Sequence, residues 1–348
     1  MIWLTWRQFR AQAAVAAGIL VVLAILFAFI GRHLAHLYAA SGIAACQASG
    51  GNCTTRADAF ISEVNGSLIN HLPLLLGTVL VAVPAIIGIF WGPPLITSEL
   101  EAGTHRLAWN RSVTRTRWMT VKLTVIGLAS MAVAGIFSLI VTWSASPIDT
   151  VTMNRILPAV FSERGVAPIG YAAFAVALGV AAGVLIRRTL PAMAVTLAVF
   201  TAVQFAMRAI RPHLIAPVRL ISAIPAQSNI GLSVTQNGTG SMSLSGNVNI
   251  PGAWVLSNQT INAAGHSVAS VPLPATGPLS VTSCGHGPLQ GPSPTCFAEL
   301  AKQGYRQLIT YQPANRFWAF QWQETGIFLI LALALTGFSI WWIRHRMS

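Results

Sequence analysis

Charge is the scarcest property of this chain. Only 8% of its 348 residues are charged, and only 8 residues are Asp or Glu; an ordinary globular domain has about 25% charged residues. Apolar residues make up 54%, and the mean hydropathy is +0.64. So few charges cannot cover the water-exposed surface of a protein of this size. The composition excludes a soluble enzyme, a disordered chain and a solenoid of amphipathic repeats, and it predicts a protein whose main solvent is lipid.

Catalytic and energy-coupling motifs are also missing. The sequence contains neither a GxxxxGK[ST] phosphate loop nor an HExxH zinc motif, so it predicts neither that mode of ATP binding nor a membrane metalloprotease. We expect no catalytic residue, no metal site and no cofactor in this chain. An intramembrane enzyme is the least favoured of the functions considered.

Six long segments carry no charged residue, and each approaches the roughly 20 apolar residues that a helix needs to cross a bilayer. The predicted spans are Ala13–Ile30, Leu72–Ile96, Leu123–Ala145, Pro168–Ile186, Leu190–Met207 and Thr325–Ile343. Lipid offers the backbone no hydrogen-bond partner, so runs of this length are predicted to be helices. The first is too long for a cleaved signal peptide and is expected to be retained. The fourth and fifth, separated only by residues 187–189, form a tight hairpin or a broken helix.

The predicted spans contain no Asp, Glu, Lys, Arg or His. Secondary transporters and proton pumps usually carry such residues for ion coupling. Arg208, just beyond the fifth span, is interpreted as an anchor whose charged end reaches the interface. If the protein transports a substrate, a partner must therefore supply the energy.

Basic residues are distributed unevenly between the two sides of these spans. With the N-terminus inside, 46 inner residues hold 11 of the 21 Lys and Arg, while 180 outer residues hold the other 10. The inner segments are 1–12, 97–122, 187–189 and 344–348. This bias predicts an N-in, C-in topology. It also explains the pI of about 11.2 without nucleic-acid binding, because the basic residues form no single large patch.

The predicted fold class is an all-α polytopic membrane protein with six transmembrane helices. Residues 1–12 are expected to form an amphipathic interfacial helix, and residues 13–210 to hold spans one to five with a cytoplasmic loop at 97–122. Residues 211–324 are predicted to be an extracytoplasmic, disulfide-containing domain of short strands, with a helix at 296–311. Residues 325–348 then form the sixth span and a cytoplasmic tail.

All four cysteines fall on the predicted outer side. Cys46 with Cys53 and Cys284 with Cys296 stand at short spacings, which in an oxidising compartment predicts two local disulfides. The alternative is a metal site made of Cys284, His286 and Cys296. That alternative lacks paired CxxC spacing and falls short of a closed tetrahedral shell.

The inner loop 97–122 is the most informative segment. Ser98 followed by Glu101 matches a capping box, which predicts that a helix begins at Ser98, and Glu99 and Glu101 would lie favourably at its positive end. Such a short rigid helix could receive a mechanical push from a soluble partner. The alternative is an ordinary positively charged inner loop without a partner.

Small residues recur four positions apart in two spans. Gly88 and Gly92 lie in the second span, and Gly179 and Gly183 lie in the fourth. Such pairs allow close approach of helices. The spacing predicts helix packing at these glycines, either between two copies in a dimer or within one chain.

Several of these segments resemble the ABC-2 type permease family. The resemblance lies in the Glu-x-Glu-x-Gly-Thr run after the second span and in Ser-Val-Thr-Arg-x-Arg-Trp-x-x-x-Lys before the third. The Tyr-Gln-Pro-Ala-Asn-Arg-Phe-Trp stretch at 311–318 and Gln-Trp-Gln-Glu at 321–324 resemble a group of actinobacterial members. The six N-in spans also match the family.

The resemblance implies a permease subunit of an ABC exporter in the plasma membrane. Two permease copies, here expected as a homodimer, would pair with two ATPase subunits that bind ATP and Mg. The inner loop would be the coupling helix. By that match, the residues at or beside the ATPase contact are Ser98, Glu99, Glu101, Gly103, Thr104, Arg106 and Leu107.

Two functions from different classes therefore follow. The favoured hypothesis is the membrane subunit of an ATP-driven exporter, and spans without ionisable groups suggest an apolar or amphiphilic substrate. The alternative is a membrane sensor or scaffold whose extracytoplasmic domain binds a ligand. Co-purification with an ATPase whose turnover the chain stimulates would discriminate between them.

Overall fold

The computed structural model describes residues 2–66, 82–101, 114–153, 155–224, 229–234, 239–245, 250–284 and 294–346. These residues divide into two compact units. The first, the helical unit, comprises residues 1–211 and 317–348, and the second, the sheet unit, comprises Pro212–Arg316.

The helical unit is built from long apolar helices joined by short ones. In chain order they are α1 (Ile2–Ser41), α2 (Ile43–Ala48), α3 (Thr54–Gly66), α4 (residues 82–91), α5 (Pro94–Glu101), α6 (Arg115–Ser144), α7 (Ser146–Thr152), α8 (Pro158–Phe161), α9 (Ala167–Ile186), α10 (Thr189–Leu214) and α13 (Phe317–Arg346). Among the described residues, five helices are long and apolar enough to cross a membrane: α1, α6, α9, α10 and α13. They correspond to five of the six predicted spans. The second predicted span lies partly outside the described residues.

The N-terminal helix differs from its prediction. Residues 2–12 continue into the first span within the single helix α1, so the expected separate interfacial helix at 1–12 is wrong. The reason is local, because no proline, glycine or capping residue stands between Arg10 and Ala14 to end a helix.

The helices α9 and α10 are joined by Arg187 and Arg188 alone. Arg187 takes a left-handed backbone conformation with φ 57°, and its N–H is bonded to the Gly183 carbonyl, which ends α9 as an αL cap does. Phe174 of α9 then stacks on Phe200 of α10, with ring centroids 6.1 Å apart. Of the two predicted arrangements, the tight hairpin is confirmed.

Helix α9 occupies the middle of the helical unit. In the most apolar stretch of α9, 83% of the residues are buried, whereas the corresponding share in α1 is 11%. It packs against α5, α6 and α13. A helix that is apolar on every side suits this central position, whereas α1 leaves most of its apolar surface for lipid or another chain.

Three of the four predicted packing glycines, Gly88, Gly92 and Gly179, lie against one another within one chain. A Cβ on Gly92 would stand 2.6 Å from the Gly88 carbonyl oxygen and 2.8 Å from the Gly179 Cα, and a Cβ on Gly88 would stand 2.5 Å from the Ala175 Cβ. Gly183 faces Pro93 and Thr97. At these glycines the structure shows the second of the two predicted arrangements, packing within one chain against α4, α9 and the residues between α4 and α5.

The sheet unit holds two antiparallel sheets. Its strands are β1 (Val218–Ser222), β2 (Asn229–Val234), β3 (Gly240–Ser245), β4 (Trp254–Ile261), β5 (Ser267–Val268), β6 (Val271–Leu273) and β7 (Arg306–Gln312). One sheet has the order β1-β7-β4-β5 and the other β2-β3-β6. Two short helices, α11 (Val281–Cys284) and α12 (Pro294–Lys302), pack with Met242 and Leu273 in one apolar core.

Both predicted disulfides are confirmed. Cys46 is bonded to Cys53, and Cys284 to Cys296. The second joins α11 to α12 and is buried in the core of the sheet unit. Because it uses both sulfur atoms, the alternative metal site at Cys284 and Cys296 is excluded.

The predicted helix at 296–311 is wrong beyond Lys302. The chain turns at Gly304, where φ is +82° and a Cβ would meet Ala263 at 2.6 Å, and then forms strand β7. Only glycine reaches that backbone conformation without strain. Ile309 and Tyr311 belong to types enriched in strands, and β7 pairs with both β1 and β4, so tertiary pairing decided this segment.

A glycine-to-alanine pair tests the close packing of α9. Gly92→Ala should lower the stability of the purified chain by about 1–3 kcal/mol, because the new methyl group meets backbone atoms that cannot move aside. Gly127→Ala in α6, where a Cβ has open space, should instead gain up to about 1 kcal/mol of helix propensity. Thermal unfolding in detergent measures both, and equal melting temperatures for the two variants would contradict the packing.

Candidate functional site

The described part of the predicted coupling loop comprises residues 97–101, at the end of helix α5, and residues 114–122, at the start of α6. Three of the predicted coupling residues, Ser98, Glu99 and Glu101, lie on α5. The other four lie outside the described residues: Gly103, Thr104, Arg106 and Leu107.

Ser98 does not cap this helix. Helix α5 begins at Pro94, and the Ser98 hydroxyl donates a hydrogen bond to the Pro94 carbonyl at 2.5 Å. This is the bond that a serine inside a helix makes to the preceding turn. The predicted capping box is therefore wrong, because the apolar run continues through Leu95 and Ile96 and the helix starts one turn earlier.

Glu101 caps a different helix from the one expected. Its Oε1 accepts a hydrogen bond from the backbone N–H of Thr189 at 2.8 Å, and its Oε2 accepts one from the Thr189 hydroxyl at 3.2 Å. Thr189 is the first residue of α10, where the N–H groups are free and the helix dipole favours a negative charge. The Thr97 hydroxyl also lies 2.7 Å from that of Thr189. Two side chains of α5 thus hold the start of α10.

Glu99 binds helix α6. Its carboxylate lies 2.6 Å from the Lys122 ammonium group, and the two side chains are 13% and 5% exposed. Lys122 also donates to the Leu95 carbonyl at 3.3 Å and lies 4.6 Å from the centre of the Trp118 ring. Removing one member of such a buried pair leaves an uncompensated charge, which costs far more than the loss of an exposed pair.

Helix α5 is therefore attached to two candidate membrane helices through two acidic residues that stand two positions apart. Glu99 binds α6, and Glu101 binds α10. Ile96 adds an apolar contact, because it is fully buried among side chains of α6 and α9. A displacement of α5 would have to move these helices with it or break charged hydrogen bonds.

A second buried cluster lies at the other end of α10. Arg211 forms a two-fold hydrogen-bonded pair with Glu324 of α13, at 2.8 Å from Nε to Oε2 and 2.8 Å from Nη2 to Oε1. The side chains are 1% and 0% exposed. Thr189 and Arg211 are separated by about 33 Å along the helix axis, so α10 carries a charged contact at each end.

Three further groups complete this cluster. The Tyr171 hydroxyl donates a hydrogen bond to Glu324, Arg211 donates to the Ser162 hydroxyl at 3.0 Å, and its guanidinium lies 4.3 Å from the centre of the Phe161 ring. The cluster thereby joins α9, α10, α13 and the segment before α9. Such charge-assisted, two-fold Arg–carboxylate pairing fixes orientation as well as adding energy.

The sequence reasoning missed this cluster. It ended the fifth span at Met207 and began the sixth at Thr325, whereas α10 reaches Leu214 and α13 begins at Phe317. The predicted spans themselves contain no ionisable group, but α10 and α13 extend about two turns beyond them, and these extensions carry Arg211 and Glu324. The sequence does contain a signal for this cluster. Arg211 and Glu324 each lie within two turns of an apolar run, and a helix commonly continues that far beyond its apolar part.

The connection between α7 and α9 holds more charge. Asp149, buried at 4% side-chain exposure, accepts hydrogen bonds from Arg155 at 3.0 Å and Arg164 at 2.5 Å. Burial raises the pKa of the neighbouring Glu163 to about 7, although Arg164 and Arg208 act to lower it. Within the described ranges, no group of three His, Cys, Asp or Glu side chains is placed to hold a metal ion.

The described residues include five apolar helices of membrane-spanning length. A buried Arg211–Glu324 ion pair joins two of them. These features define a polytopic membrane protein. The chain belongs to the ABC-2 membrane transporter related family, whose model matches residues 17–211. Members are typically permease subunits without an ATPase domain, and membership generally implies an ATPase partner. Searches of curated proteins and of solved structures found no match.

Breaking the buried pair should be costly. Glu324→Gln leaves Arg211 charged and buried without its counter-ion, so we expect a stability loss of about 3–5 kcal/mol in thermal unfolding of the purified chain. The double variant Arg211→Met/Glu324→Leu should recover part of it, because neither charge remains. Glu299→Gln, which breaks the exposed pair with Lys302, is the control and should change stability by less than about 1 kcal/mol. A loss for Glu324→Gln no larger than that of the control would refute the energetic importance of the pair.

Glu163 should make stability depend on pH. Its pKa rises from 4.5 to about 7 on folding, so the folded chain holds a proton that the unfolded chain has released. The contribution of Glu163 to stability should be fully present below about pH 4.5 and should be lost as the pH rises towards 7. Glu163→Gln should weaken the dependence of the melting temperature on pH between about pH 5 and pH 8. Glu63→Gln on exposed α3 should leave that dependence unchanged. A pH profile unchanged in Glu163→Gln would rule out this assignment.

Proposed function

We propose that this chain is the membrane-spanning permease subunit of an ATP-driven exporter. It moves an apolar or amphiphilic substrate outward, and a separate ATPase subunit supplies the energy. Two permease chains and two ATPase subunits form the complex in the plasma membrane, with both permease termini inside, and ATP and Mg bind to the ATPase. The observation that carries the proposal is the attachment of α5 to both α6 and α10 through Glu99 and Glu101.

The family supports the division of labour. The chain is a membrane component of a family related to ABC-2 transporters, and its sequence contains no GxxxxGK[ST] loop. A permease of this kind must receive work mechanically. The segment that receives it must be connected to the spans by contacts that resist displacement.

The contacts of α5 meet that requirement. A push on α5 is transmitted to α6 through the Lys122 ammonium group and to α10 through the capped Thr189. Helix α10 then transmits it over about 33 Å to Arg211, whose partner Glu324 lies on α13. A rigid helix with a charged contact at each end is a physical means of coupling two sites.

A charge reversal at Glu101 tests the proposal. Glu101→Lys should leave membrane insertion intact, because no apolar contact of the spans changes, and stimulation is compared at equal amounts of co-purified ATPase subunit. The variant replaces the cap of α10 by a positive charge at the positive end of the helix. Since a cap is worth about 1 kcal/mol, stimulation of ATP turnover by the permease should fall by roughly fivefold.

Two variants make this experiment specific. Glu101→Gln keeps an acceptor for the Thr189 N–H and should retain most of the stimulation. Glu63→Lys makes the same charge change on exposed α3 and should have no effect. Full stimulation in Glu101→Lys would overturn the coupling role of α5, and a chain that binds no ATPase would favour the sensor or scaffold instead.

A further inference from the structure

A groove lies between α4 and α10. It has a volume of about 210 Å³. Its apolar walls include Ala85, Leu197 and Phe200, and its polar groups include Gln204 and Arg208. Phe205, 64% exposed, stands at its edge, so the groove opens on an apolar surface of the helical unit.

Gln204 has an unused hydrogen-bond donor at this groove. The residue is 7% exposed, and its Nε2 has no hydrogen-bond partner among the residues that the structure describes. An amide donor left unpaired in an apolar setting loses its hydrogen bonds to water without a replacement, which is unfavourable. A ligand that brings an oxygen acceptor would remove that cost, so the groove favours an occupant with such an atom.

Arg208 adds a positive charge one helical turn from Gln204, on the same face of α10. Arg211 is bound to Glu324, but no carboxylate in the described part of the chain lies within 4 Å of the Arg208 guanidinium. Glu163 interacts with Arg208 at longer range and offsets part of its charge. The polar part of the groove thus offers one cation and one amide donor.

We propose that this groove binds an amphiphile with an anionic, oxygen-bearing head and an apolar chain. The head accepts hydrogen bonds from Gln204 and Arg208, and the chain lies along Leu197, Phe200 and Ala85. This inference deepens the proposed function by naming the ligand class as an anionic amphiphile. The interpretation of the groove as a transport site rests on that proposed function. Binding itself can be measured without the ATPase.

The test uses the full-length chain in nanodiscs of neutral phosphatidylcholine. The probe is a fatty acid that carries a photoreactive diazirine in its chain, and its methyl ester is the neutral control. Saturable labelling of α4 or α10, located by peptide mass spectrometry, is expected for the acid, with the ester about tenfold weaker.

Three variants address the groove directly. Arg208→Gln and Gln204→Leu each remove one polar contact and should weaken labelling by the acid about tenfold. Thr201→Leu places bulk at the lining and should also weaken it. Ala202→Leu, the adjacent exposed position outside the lining, and Arg32→Gln, an exposed arginine of α1, are the matched controls and should change nothing.

The source of the ligand is decided by adding phosphatidylglycerol to the nanodiscs. If this anionic lipid competes with the probe, the occupant comes from the bilayer; if labelling persists, the groove takes a free anionic amphiphile. Both outcomes support the site. Equal labelling by acid and ester, or labelling that no groove variant weakens, would overturn it. Because no ATP or ATPase is present, that failure would leave the coupling role of Glu101 standing.

Discussion

The helical unit depends on how it accommodates charge where little water is available. A buried ion without a partner costs several kcal/mol, and Arg211, Glu324, Glu99 and Lys122 are all largely removed from solvent. Each therefore has a partner on another helix. These pairs decide which helices are held together and at which end, while apolar contacts alone would allow the helices to slide or rotate.

Close packing around α9 complements these pairs. Because Gly88, Gly92 and Gly179 lack side chains, the backbones of α4 and α9 approach to within contact distance. Association of helices in lipid relies on such packing and on polar contacts, since lipid is as apolar as the side chains themselves. The glycines bring the central helices together, and the ion pairs at the two ends set their orientation.

The arrangement has a consequence for function. Helix α5 is short and carries the carboxylates of Glu99 and Glu101, and each carboxylate binds a different long helix. The groove beside Gln204 lies further along one of these helices, α10, before the contact of Arg211 with Glu324. A movement that begins at α5 would therefore pass the groove before it reaches the far ion pair, so the proposed ligand groove and the proposed mechanical contact lie along the same helix.

The sequence by itself determined the membrane character, five of the helices and both disulfides, because apolar run length and cysteine spacing are local properties. It also singled out Ser98, Glu99 and Glu101, but it predicted the start of their helix one turn too late. Only the tertiary structure decided that Glu101 caps α10, that Glu324 meets Arg211, that residues 306–312 form a strand, and that the glycines pack within one chain. Each of these contacts joins residues far apart in the chain or depends on a pairing partner, and neither charge nor periodicity along one segment specifies which distant group completes it.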